Sequence, residues 1–516
     1  MRATTTALHG SSSRIDRPHA GLRAKLEGMR FALVAIVAAL GCHGARPASH
    51  SAPPAVARDF PATRWVPANP TYVLASPTVK DAQRSLRDAI DSLGVLAGVE
   101  VSEVSRDLSR LLDVDPLSPD PVAGMGIDLD GGIAMFSEDV SPTFVVHLAT
   151  PEATAAFFDR QRERGLVTQS VIVEGTEIFT AQLLANVKVS WAVAGDWLWV
   201  HFTLPFAHED GQSWFTGSHR PEGPAWSKDW QWAEKVVGTG KPGLVGFLDA
   251  KDLIASFVGK VPEAMACAKL LDPVGRVAIS IEGTGTHAAG RIALDVGAAA
   301  AKVSAAILPA PEGFAALAAH APLAAQWNVD LPTVRTWLQP CLKTINEDVT
   351  WIDRTGVRSA RVVLQSLDPD QKSGSGAVAF DLAHKRFFTD KLDDIPLRST
   401  FERSHTFGTL QGHSLSVPMI GSFDYVLTDT LALAAMGDGL LGRLVASGAV
   451  AAKGPIAAID IAPPALSAEA WKLLLGALDL RHADRIVERL LRWHDGHVAV
   501  TVEGSSLVLS ASGNRR

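Results

Sequence analysis

The chain has 516 residues, of which 47% are apolar and 20% charged, a balance that excludes a disordered chain and suits a folded body. Its net charge is −7, and the residues after Gly41 hold 42 basic against 53 acidic side chains, which argues against nucleic acid or an anionic lipid surface as the main partner. A chain this long exceeds what one hydrophobic core serves, so two to four domains are expected.

Residues 1–28 are polar and carry Arg14, Arg17, Arg23 and Lys25 with few acids. Met29-Arg30 opens a more compact leader, so translation is expected to start at Met29. The apolar run 31–40 is too short to span a membrane, and the next two residues complete the ending Ala39-Leu40-Gly41-Cys42. That ending resembles the lipobox of bacterial lipoproteins, with Ala39 standing where Leu is more usual. The resemblance implies that 1–41 is a signal peptide removed ahead of Cys42. It also implies that Cys42 is acylated, as palmitate labelling would register, and that the lipid holds the protein at a cell-envelope membrane. His43 follows where an Asp would retain the protein at the inner membrane, which implies the outer membrane if the source is a diderm bacterium.

Residues 42–66 are rich in Ala, Pro and Ser, including Pro47, Pro53, Pro54 and Pro61, and read as a semi-extended tether. At about 3.1 Å per residue some twenty residues reach roughly 60–70 Å. No later apolar run approaches the length needed to cross a membrane. With Cys42 lipidated, Cys267 and Cys341 remain, and in an oxidising compartment they either form one disulfide or stay as free thiols.

The body carries an internal repeat. Arg276-Val277-Ala278-Ile279-Ser280-Ile281-Glu282-Gly283 matches His497-Val498-Ala499-Val500-Thr501-Val502-Glu503-Gly504, both alternating as half-buried strands do. Upstream, Ile133-Ala134-Met135-Phe136 aligns with Val362-Val363-Leu364-Gln365, and Phe157-Phe158 with Phe387-Phe388. On a later hairpin, Leu198 and Val200 align with Leu431 and Leu433. Strand-to-helix entries recur at Ser76-Pro77, at Asp249-Ala250-Lys251-Asp252, at Asp330 and near Ser467. The fold class expected is α+β: two tandem copies, 67–300 and 310–513, each with largely antiparallel sheets and helices packed on one face.

This pattern resembles a family of bacterial envelope proteins known only as domain of unknown function 3352. The resemblance rests on the entry Leu248-Asp249-Ala250-Lys251-Asp252-Leu253 and on Gly126-Ile127-Asp128 ahead of Gly132-Ile133-Ala134. It implies an envelope location and brings no catalytic residues.

Motifs that carry chemistry are sparse. There is no Gly-x-Ser-x-Gly elbow, His-Glu-x-x-His, phosphate-binding glycine loop or Cys-x-x-Cys, so no cofactor or metal is implied. His208-Glu209-Asp210 with His219 lacks helical ligand spacing and reads as a solvated loop. His494-Asp495-Gly496-His497 reads as a turn before a strand, and Asp128-Leu129-Asp130-Gly131 as a strand-entry turn without the remaining calcium ligands. Gly374-Ser375-Gly376 reads as a flexible loop.

Tryptophan is the residue type that stands out. Seven of the thirteen fall between 191 and 232. Taking Leu198 and Val200 as the core face puts Trp197 and Trp199 on the other, level with Thr430 and Ala432. The segment 204–242 is longer than its counterpart 434–454 and carries Trp214, Trp226, Trp230 and Trp232. Either it folds back over Trp197 and Trp199, or those four form an exposed interaction surface. The function expected is a membrane-tethered, non-enzymatic envelope protein that binds a partner or acts structurally. The alternatives are a carrier of a lipid or other apolar ligand, and an envelope hydrolase whose site converges only in three dimensions.

Overall fold

Alternating branched and small residues make the strands, and turn glycines separate them. The computed structural model describes residues 60–516 apart from 68, 98–100, 139–140, 174, 185–186, 205–226, 238–242, 252–271, 346–348, 396, 418–420, 446–453 and 478–482. The leader, Cys42, most of the tether, Cys267, Trp214, Trp226 and the His208–His219 segment therefore lie outside the described residues.

The first half contains β1 (Tyr72–Ser76), β2 (Ile133–Ser137), β3 (Thr143–His147), β4 (Thr168–Val173), β5 (Thr176–Leu184), β6 (Val187–Ala194), β7 (Trp197–Thr203), β8 (Leu244–Asp249), β9 (Arg276–Gly283) and β10 (His287–Asp295). Its helices are α1 (Val79–Ala97), α2 (Val101–Leu112), α3 (Pro119–Ala123), α4 (Pro151–Glu163) and α5 (Ser227–Val236). The second half contains β11 (Leu323–Trp327), β12 (Val357–Asp368), β13 (Ser373–Leu382), β14 (Glu402–Phe407), β15 (Leu410–Val417), β16 (Gly421–Leu427), β17 (Leu431–Met436), β18 (Ala457–Ile461), β19 (Trp493–Glu503) and β20 (Ser506–Arg515). Its helices, with those leading into it, are α6 (Ala299–Ala305), α7 (Glu312–Ala318), α8 (Leu331–Ile345), α9 (Trp351–Thr355), α10 (Arg386–Asp393), α11 (Arg398–Phe401), α12 (Leu440–Val445), α13 (Ala468–Ala477) and α14 (Ala483–Leu490).

Every strand pairing among the described residues is antiparallel. The first half runs β4-β5-β6-β7-β3-β2-β1-β8-β9-β10. The second runs β14-β15-β16-β17-β13-β12-β11-β18-β19-β20. The two orders match strand for strand. β10 pairs with β20 along its whole length, so one twenty-stranded sheet passes through both halves.

Tight turns place the halves in register. Gly195-Asp196 joins β6 to β7, and Asp429-Thr430 joins β16 to β17 with Thr428 bonded to Leu431. Gly285-Thr286 and Gly504-Ser505 close the β9–β10 and β19–β20 hairpins, the glycines having φ of 84° and 60°. Counting from these turns puts Trp197 and Trp199 level with Leu431 and Leu433, and Ile279 level with Val498. The expected level of Trp197 with Thr430 is thus one residue out, and a one-residue slip exchanges the two faces of a strand.

Helices lie against both faces, not one. On β3 the neighbours Val145 and Val146 point opposite ways and both are buried, so each face needs a cover. Val145 joins a core with Trp197, Trp199, Trp230 and Ala233 of α5, and the short 3₁₀ helix Pro61–Trp65. Val146 joins Leu198, Val79 of α1, Val122 of α3 and Phe158 of α4. The end of the expected tether belongs to the folded body, because Phe60, Ala62 and Val66 are buried in the first of these cores. In the second half, Phe314 and Leu317 of α7 with Leu440, Leu441 and Leu444 of α12 cover Leu433 and Val363.

Candidate functional site

The tryptophans form a core. Trp197 and Trp199 are buried, and Trp65 meets them edge-on with ring centroids 5.9 and 5.3 Å away. Phe136 approaches Trp199 at 6.5 Å, and Phe60 meets Trp230 at 5.3 Å. Trp230 is 0% exposed, so it cannot belong to an exposed interaction surface. Its indole N–H donates to Glu234 one helical turn on, at 3.1 Å. Trp232 is half-buried beneath the Arg276 guanidinium at 4.4 Å. Of the two cysteines that could pair, Cys341 falls within α8 with its side chain outside the described residues.

Two polar clusters are assembled by strand pairing and carry no local motif in the sequence. In the first half, His147 closes β3 with Nδ1 2.9 Å from Asp128 and Nε2 3.2 Å from Asp196. Each ring nitrogen thus lies within hydrogen-bond distance of a carboxylate. The Asp196 carboxyl is held below its usual range by its own backbone N–H, then by His147. Trp197 packs on His147 at 5.1 Å. With a carboxylate facing each nitrogen, the arrangement ties the end of β3 to two turns.

In the second half, the buried Tyr425 hydroxyl sits between Glu402 and Arg398, with His413 stacked on the ring at 5.2 Å. Burial, reinforced by Glu402 and opposed by Arg398, pushes the phenol up to about 12. Burial also raises the Glu402 carboxyl, but bonds from Tyr425 and Arg398 outweigh it and leave that group low. Among the described residues no three His, Cys, Asp or Glu side chains are placed to hold a metal.

The other sequence candidates are structural. Asp128–Gly131 is a turn closed by Gly131 N–H on the Asp128 carbonyl, as expected. His494-Asp495-Gly496-His497 is no turn; it lies inside β19 at a register shift, with His497 2.5 Å from Asp460. Gly374-Ser375-Gly376 is no loop either. It forms the start of β13, where a Cβ on Gly376 would lie 2.6 Å from the Val363 carbonyl oxygen.

An apolar band on the sheet is the best candidate for binding. Among the described residues eleven large apolar side chains are exposed, and four of them fall together: Val362 (38%), Ile459 (49%), Val498 (41%) and Leu509 (37%). Cross-strand pairing puts Val362 opposite Ala325, Ala325 opposite Ile459, Ile459 opposite Val498, and Val498 opposite Ala511. These residues therefore share one face, and the row crosses β12, β11, β18, β19 and β20, about 19 Å at the usual strand spacing.

Among the described residues, helices flank the band without covering it. Two residues to one side, Leu323, Leu364 and Ile461 pack under Trp471 and Val487 of α13 and α14. Two residues to the other, Trp327, Ala457 and Val500 pack with Val303 of α6 and Val334 of α8. The row ends where Ala511 meets Gly290 and Gly290 meets Ile281, which is buried where α1 packs on β9. Sequence alternation grouped Val498 with Val500 and Val502 on one face but could not tell which of those positions the helices would leave open.

No family model matches this chain, and no curated protein does. Solved structures are similar over part of it. Crystal forms III, I and IV of TP0453 show 13%, 12% and 12% identity, covering 48%, 46% and 49% of this chain and 86%, 80% and 87% of that one. The TM-score is 0.26 in each case, too low to carry fold or function across.

Proposed function

We propose that this chain is an exported lipoprotein, held at a cell-envelope membrane through acylated Cys42, whose body binds an apolar ligand and performs no catalysis. The observation that carries the binding part is the open band at Val362, Ile459, Val498 and Leu509, since soluble proteins rarely leave neighbouring aliphatic groups bare without a use. The leader ending Gly41-Cys42 supports the anchor. We further propose that the body arose by tandem duplication; the matching strand orders and the shared turn positions support this.

Palmitate labelling tests the anchor. Incorporation into the full chain and its loss in Cys42→Ser is the expected result. Label persisting in Cys42→Ser, or a mature N-terminus elsewhere, would overturn the lipoprotein reading.

A further inference from the structure

We infer that the band across β12, β11, β18, β19 and β20 seats the acyl chain of a separate single-chain lipid, such as a long-chain fatty acid. This deepens the binding reading above and rests on it. Three features select the ligand class. First, the floor is a sheet face whose backbone donors and acceptors are spent on strand pairing. An extended peptide laid there would leave its own amides unpaired, whereas an alkyl chain has none.

Second, the band is narrow. The covered rows stand two residues to either side, about 7 Å each way along the strands. That leaves a strip one residue wide from β12 to β19, widening only at β20, where Leu509 beside Val500 is also exposed. Over most of its length it is too tight for a helix of about 10–12 Å diameter between helices already in place. Its length of about 19 Å slightly exceeds one leaflet of a bilayer core, about 15 Å, which one acyl chain fills.

Third, the charge pattern matches an uncharged chain. On this face, Val362, Ala325, Ile459, Val498, Leu509 and Ala511 are all apolar. The residues two positions along, Leu364, Leu323, Ile461, Gly496 and Gly513 on one side and Trp327, Ala457 and Val500 on the other, are uncharged too. The opposite face at the same level carries Asp460, His497 and Arg291. The carboxylate or headgroup then projects from the band, because nothing within it could compensate a charge.

The test uses the full chain carrying Cys42→Ser, so that its own lipid cannot compete, and the environment-sensitive probe 11-(dansylamino)undecanoic acid. Saturable, blue-shifted emission displaced by palmitate is expected. Val498→Glu buries a charge under the chain and Ile459→Trp fills the strip, so each should weaken binding by about ten-fold or more with the melting temperature unchanged. Ile459→Trp keeps the test open if Val498→Glu fails to fold. Ile172→Glu, at a still barer position on the distant β4, should leave the affinity unaltered. Absence of saturable binding, or undiminished affinity in both band variants, would overturn the inference. So would a dimer that Val498→Glu dissociates while no probe binds, since a second copy would then cover the band. Anchor failure is separately visible as loss of palmitate labelling in the unmodified chain.

Discussion

The same place in the two halves is filled by opposite chemistry. Phe179 pairs with Trp191 across β5 and β6, and counting from the turns puts His413 and Tyr425 at those positions on β15 and β16. Both pairs stack, at 5.5 Å and 17° in the first half and 5.2 Å and 21° in the second. The first is apolar and extended by Phe158 at 4.4 Å; the second is ionisable and tied to Glu402 and Arg398. A similar exchange occurs on β2 and β12, where buried Ala134 is level with Arg361, 0% exposed and bonded to Asp381 at 2.9 Å and Asn328 at 2.8 Å. Strand order and turn position thus hold while side-chain volume and charge change freely beneath them.

The largest break in that comparison should come from Arg361. Arg361→Met removes one partner of a buried ion pair and is expected to cost about 3–5 kcal/mol in urea melts, whereas Ala134→Val should cost only the strain of overpacking, about 1–3 kcal/mol. Equal losses would mean the buried charge does little. Next come the aromatic positions. Trp199→Ala is expected to lose about 3–5 kcal/mol, and Leu433→Ala, at the same level, about 2–5. If Leu433→Ala proved harmless while Thr430→Ala proved costly, the turn-based register would be wrong.

The ionisable stack gives a pH signature that its apolar counterpart lacks. The Tyr425 phenol is raised from 10.0 to about 12 in the fold. The neutral form is therefore favoured: its contribution is complete below pH 10 and is lost as pH rises through about 12. Tyr425→Phe should remove that alkaline loss. The chain has only two tyrosines, so ultraviolet titration should show a step for Tyr425 near 12, and its disappearance in the variant checks the assignment. The smallest expected effect concerns the hairpin glycines. Gly285→Ala and Gly504→Ala should each cost about 1–2 kcal/mol through left-handed backbone strain, and by the same amount if the hairpins are equivalent.

The α+β class and the antiparallel hairpins were legible because alternation and turn residues are local signals. Register was less so. Similarity matched Ile279 to Val500, two residues from Val498, because Val-x-Val-x-Val reads alike in either frame. It also matched Leu198 to Leu431, one residue out, and there the odd shift turned the tryptophans to the wrong face. Trp65 was lost among prolines and alanines read as tether, so the downstream part of the cover over Trp197 and Trp199, Trp230 and Ala233 of α5, was sought while the upstream part was missed. The polar clusters and the apolar band depend on residues that only the sheet brings together: Asp128 with Asp196, and Val362 with Val498.

The β10–β20 seam has a further consequence. Arg291 lies opposite Ser510, its positional counterpart, while Ile292 faces Leu509 and Gly290 faces Ala511, pairs that exchange when the halves are swapped. That is the geometry of two identical subunits meeting edge to edge about a two-fold axis. Covalent fusion makes the meeting intramolecular, so the seam forms at any protein concentration. Within one chain the two sides need not be identical, since neither has to complement a copy of itself.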